Sequence, residues 1–128
     1  MEVYFLDVGQ GTCNLLLLGG QQAVVIDGGG RGSRTLLQAL ERFRVSHIVR
    51  LIVSHNDADH TGGTASILSQ YPGKIDEIWF LQDSKLFGTA LWDRIEQQLA
   101  DGILSEDQLH RLERDQHPKL VFPLFLLC

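Results

Sequence analysis

The chain has 128 residues, of which 44% are hydrophobic and 21% charged, with a formal net charge of −5 at pH 7. That length suits one domain with a real core, and the composition excludes disorder as the default state. The acidic balance argues against a broad basic nucleic-acid-binding face.

Two cysteines, Cys13 and Cys128, are too few for a disulfide framework, and Cys13 in an apolar run reads as a buried, reduced thiol. The opening "MEVYFLDVGQG" has no basic stretch leading into a long apolar one. No segment approaches the roughly 20 apolar residues of a membrane helix. A cytoplasmic protein is therefore expected, with excision from a longer precursor left open.

The first eighty or so residues read as strands punctuated by glycine. "VYFLDV" (Val3 to Val8) ends in the turn "GQG". "CNLLLL" (Cys13 to Leu18) ends at Gly19-Gly20, and "QAVVID" (Gln22 to Asp27) ends at Gly28 to Gly30. Two apolar runs split by a Gly-Gly turn predict a hairpin, and their near-continuous apolar character predicts cover on both faces. Ser33 is a candidate N-cap for a helix to about Arg44, with Leu36, Leu37, Leu40 and Phe43 on one stripe. "HIVRLIV" reads as a further buried strand that delivers His55.

After the polar stretch that follows, "TASILSQY" reads as a helix stopped by Pro72-Gly73, and "IDEIWFL" (Ile75 to Leu81) as a strand. "TALWDRIEQQLADG" is an amphipathic helix with Leu91, Ile95 and Leu99 on one face and Gly102 as its stop. Ser105 with Gln108 forms a capping box for a short charged helix through about Asp115. The chain ends on the apolar "LVFPLFLLC". Strands first, then alternating helices and strands, predict an α/β layered domain.

The chemistry concentrates in "SHNDADHTGG", Ser54 to Gly63. His55, Asp57, Asp59 and His60 are four metal-ligand side chains within six positions, placed where a buried strand runs into a loop. Neutral imidazoles and ionised carboxylates are what a cation held at ~2 Å requires. Gly62 and Gly63 are expected to permit a sharp turn into the next helix. The plain alternative is a solvated acidic loop, or a buried histidine satisfied by a neighbour. A calcium loop ranks last, because the D-x-[DN]-x-[DN]-G spacing and its closing glutamate are missing.

"HNDADH" resembles the H-x-[HD]-x-D-H signature of the metallo-β-lactamase superfamily, and "FLDVGQG" and "VVIDGG" resemble its accompanying segments. Together they are similar to the hydrolase domain of ComEC-type competence proteins. The resemblance runs from Met1 to about Leu81, and less specifically to Gly102. It implies the N-terminal half of a four-layer αββα sandwich over residues 1–102, followed by a divergent or truncated segment, 103–128. It further implies two divalent metal ions in a complete site, His55 and Asp57 holding the first and Asp59 and His60 the second. Asp59 would also orient the attacking water. Asp27 would stand behind the ligands and fix their loop by hydrogen bonds, and Asp7, Gly9, Gln10 and Gly11 would pass close by. Thr12 stands where the family usually has aspartate.

The implied reaction is hydrolysis of a phosphodiester or related ester bond in a small molecule or nucleic acid, because a metal can recruit phosphate where lysines and arginines are few. Asp57 in place of the commoner histidine adds a hard oxygen ligand, which moves the expected metal from zinc toward manganese or magnesium. The family's second half supplies further ligands. After His60 only His110 and His117 remain, and both read as solvated side chains of a charged helical segment. Two readings follow: a hydrolase completed by a partner subunit or a missing second half, or a truncated, non-catalytic fragment that at most binds one metal ion weakly.

Overall fold

The computed structural model describes residues 1–6, 13–27, 34–53, 58–81 and 90–112, the side chains of 58–62, 81 and 112 apart. Six strands form one sheet in chain order: β1 (Glu2–Phe5), β2 (Asn14–Gly19), β3 (Gln22–Ile26), β4 (His47–Val53), β5 (Ile75–Leu81) and β6 (Leu109–Leu112). β1, β2 and β3 pair antiparallel, whereas β3 to β6 are parallel. Parallel neighbours need crossovers, and three helices supply them: α1 (Thr35–Arg42), α2 (Ala58–Gln70) and α3 (Ala90–Ala100). The expected α/β layering is therefore present.

The β2–β3 hairpin turns where the paired glycines predict it. Gly19, Gly20 and Gln21 all take positive φ, at 91°, 60° and 64°, which the two glycines adopt without a Cβ clash. α1 and α3 end in the same way. Arg44 and Gly102 are left-handed, and the next amides, of Val45 and Ile103, donate back to the carbonyls of Leu40 and Gln98 at 2.9 Å. These closures satisfy end carbonyls and turn the chain sharply out of each helix.

The main core lies between sheet and helices. Leu15, Ala23, Val25, Ile48, Leu51 and Ile78 from the strands meet Leu36 and Leu40 of α1, Ile67 and Leu68 of α2, and Leu91 and Ile95 of α3. Leu37, Phe43 and Leu99, expected on the same stripes, are only partly buried against this core. On the other face Leu16, Val24 and Ile52 form a smaller cluster to which, among the described residues, only strands contribute. Val24 and Val25 are both fully buried, so β3 is covered on both faces, as its apolar run predicts.

Three expectations need correction. The N-cap of α1 is Arg34, without a side-chain capping bond, and Ser33 lies outside the described residues. α2 begins at Ala58, so Asp59, His60, Gly62 and Gly63 lie within the helix rather than in a loop preceding it. Glycine costs a helix ~1 kcal/mol relative to alanine, which is why the pattern hides this start. Burial of Gly63, Thr64 and Ala65 carries the first turns instead. The charged helix after Ser105 is only a 3-10 turn, Glu106–Gln108, after which the chain enters β6. The Ser105–Gln108 pair does act there: the Gln108 side-chain oxygen accepts from the Ser105 amide at 2.9 Å. The Gln108 side-chain amide donates to the carbonyls of Ile75 and Asp76, which anchors the turn to the start of β5.

Ile78 is fully buried at the centre of the helix-side core, whereas Phe5 is 81% exposed on an outer strand. Ile78→Ala is expected to cost about 2–5 kcal/mol in urea unfolding, and Phe5→Ser to stay within ~0.5 kcal/mol. Equal effects would contradict this assignment of the core.

Candidate metal centre

The strand directions decide what meets at the functional edge. β3 and β4 are parallel and in register from Val24↔Arg50 to Ile26↔Ile52, so both finish at the same edge of the sheet. β5 joins them through Val53↔Phe80, and β6 through Leu81↔Leu112. β1 runs out at this edge and β2 returns from it, since Phe5 faces Asn14 and the Leu6 amide donates to the Cys13 carbonyl at 2.9 Å. Ligands in open α/β sheets bind outside the carboxyl ends of parallel strands, which is this edge.

Asp27 sits there. It is 2% exposed, and its amide donates to the Ile52 carbonyl at 2.8 Å, which carries the β3–β4 ladder one residue past the end of β3. Its φ of 58° is left-handed, a conformation in which aspartate and asparagine are the commonest non-glycine residues. The chain thus leaves β3 through a buried, bent aspartate beside the last turn of β4.

Cys13 is buried at the same edge. Because Asn14 faces Ile26 in the β2–β3 register, Cys13 and Asp27 are the next cross-strand positions. Burial, with the negative charge of Asp27 added, pushes the Cys13 thiol up to about 12. The thiol is therefore protonated and unreactive at neutral pH, in keeping with the buried, reduced cysteine its apolar run predicts.

The predicted ligands come from segments adjoining this edge. His55 and Asp57 lie outside the described residues, between the end of β4 at Val53 and the start of α2 at Ala58. Asp59 and His60 fall in the first turn of α2, and their side chains lie outside the description. A carboxylate in a first helical turn is favoured by the dipole of the helix. Asp7, Gly9, Gln10, Gly11 and Thr12 lie outside the described residues too, between β1 and β2. Two imidazoles and two carboxylates form a donor set that suits a divalent cation. Among the described residues no three His, Cys, Asp or Glu side chains group closely enough to hold a metal.

His110 is not the solvated side chain of a helix that its neighbours predict. On β6 it stacks on Trp79, with ring centroids 4.5 Å apart and planes 16° from parallel, and its Nε2 lies 2.9 Å from Glu77. Glu77 also accepts from Arg50 Nε at 2.9 Å, so Arg50, Glu77 and His110 link β4, β5 and β6 on the face opposite the helices. No local pattern in "LHRL" signals this arrangement, which depends on the pairing of β5 with β6. His117 lies outside the described residues.

The metallo-beta-lactamase superfamily model matches residues 6–83, more than half of the chain, a span that includes β2 to β5 with α1 and α2. The chain belongs to that superfamily. It is 40% identical over 76 residues to Recombination protein 2 of Haemophilus influenzae, a match that covers 56% of this chain and 10% of that protein. Its fold is similar to the crystal structure of the short form of human tRNase Z, with a TM-score of 0.57 and 19% identity over 93% of this chain. The chain spans 48% of that structure and a tenth of Recombination protein 2. Among the described residues no helix is long and apolar enough to cross a membrane.

Two outcomes follow from the edge geometry. With Cys128 replaced by serine, Cys13 is expected to resist a thiol reagent at pH 8 in the native protein and to react promptly in denaturant. An unfolded thiol ionises near pH 9 but the folded one only near 12, so this group's contribution to stability is intact below pH 9 and lost as pH rises toward 12. Fast native labelling would contradict the burial. At position 27, Asp27→Val is expected to cost at least about 1 kcal/mol more in unfolding free energy than Asp27→Asn, because a β-branched residue resists positive φ. Equal stabilities would argue against the left-handed bend.

Proposed function

We propose that this chain is the ligand-bearing half of a metal-dependent hydrolase whose activated water attacks a phosphodiester or related ester bond. The observation that carries the reading is the convergence of strand ends: Asp27, the end of β4 and the start of α2 share one edge, and the motif "HNDADH" spans the connection between β4 and α2. Membership of the superfamily supports hydrolysis, and the likeness to Recombination protein 2 supports a phosphoester substrate, in a small molecule or a nucleic acid.

In this reading His55 and Asp57 hold one divalent ion, and Asp59 and His60 hold a second. A bound ion supplies positive charge that acidifies water and offsets the charge developing on the substrate. The protein's own contribution is positional. Asp27, buried and fixed by the hydrogen bond from its amide to the Ile52 carbonyl, steadies the start of the ligand segment, and Asp59 orients the attacking water. Asp57 supplies a hard carboxylate oxygen, which favours manganese over zinc.

A second reading rests on length. The chain spans only 48% of the tRNase Z structure it resembles, so the 128 residues alone form a fragment that binds at most one ion weakly and does not turn over. The two readings share the ligands and differ in whether a second half, from a partner subunit or from further chain, completes the site.

Metal content separates the site from its absence. Protein stripped and reloaded with manganese or zinc is expected to retain a divalent ion by mass spectrometry, and His55→Ala and Asp59→Ala are each expected to lose most of it. Unchanged content in both variants would remove the site as drawn. In a form that contains the second half, hydrolysis of a model phosphodiester is expected to be faster with manganese than with zinc. A zinc-loaded enzyme that outran the manganese form would overturn the assigned metal while leaving the ligands standing.

A further inference from the structure

We draw no further inference here: the strongest candidate, the helix-free sheet face running from Val3 and Phe5 on β1 across Leu16, Val24 and Ile52 to the Arg50–Glu77–His110 ladder, adds nothing to the half-domain reading already proposed, because nothing in the structure shows what else covers it.

Discussion

The parallel pairing of β3 with β4 is the constraint on which the candidate site depends. A parallel pair must finish at one edge, and the register Ile26↔Ile52 leaves the two ends offset by a single residue. Asp27 and the end of β4 are therefore neighbours, although 26 positions of sequence separate Asp27 from Val53. The hydrogen bond from the Asp27 amide to the Ile52 carbonyl fixes that relation one residue past the end of β3. Reversing or slipping either strand would separate Asp27 from the end of β4.

Burial explains why the polar chemistry gathers at that edge. Leu51, Ile52 and Val53 of β4 are all buried, so the end of the strand presents apolar side chains to both faces in turn. An ionisable group within this stretch would lose its hydration on either face, at a cost of several kcal/mol if unpaired. The one charged residue inside β4, Arg50, is paired with Glu77. Histidines and aspartates can collect only after the strand ends, where the chain reaches the edge. The apolar run of β4 therefore ends before the polar motif of the sequence begins, and the left-handed aspartate after "VVI" stands at the corresponding end of β3.

Much of this was legible in the sequence. The hairpin declared itself through Gly19-Gly20, the double-sided burial of β3 through its unbroken apolar run, and the helix stop through Gly102, because in each case one residue type meets one backbone requirement. The start of α2 was not legible. "ADHTGG" has poor helix propensity, and only tertiary packing of Thr64, Ala65, Ile67 and Leu68 makes it helical. β6 was hidden for a different reason: Leu109 and Leu112 are three apart, which imitates a helical stripe, and four residues are too few to separate a period of 2 from one of 3.6. Of the candidate centre, the strand that leads to the motif and the buried cysteine at Cys13 could be read directly. The nearness of Cys13 to Asp27 could not, since it depends on the β2–β3 register rather than on any local pattern.

The two faces of the sheet differ in what covers them among the described residues. On one face three helices bury a core that extends from Leu15 to Ile95. On the other, apolar side chains occupy the β1–β3 side, where Val3 and Phe5 are exposed, and a chain of paired charges with a stacked Trp79 occupies the β4–β6 side. Half-buried ion pairs of this kind add little net stability, because desolvation offsets most of the Coulombic gain. What they do add is direction: the linked Arg50, Glu77 and His110 fix the lateral register of the strands whose ends form the functional edge. Were β5 or β6 to slip by one residue, these side chains would turn into the helix-side core and Ile78 would turn out of it. Packing on one face and charge pairing on the other thus select the same register, and that register brings the strand ends together.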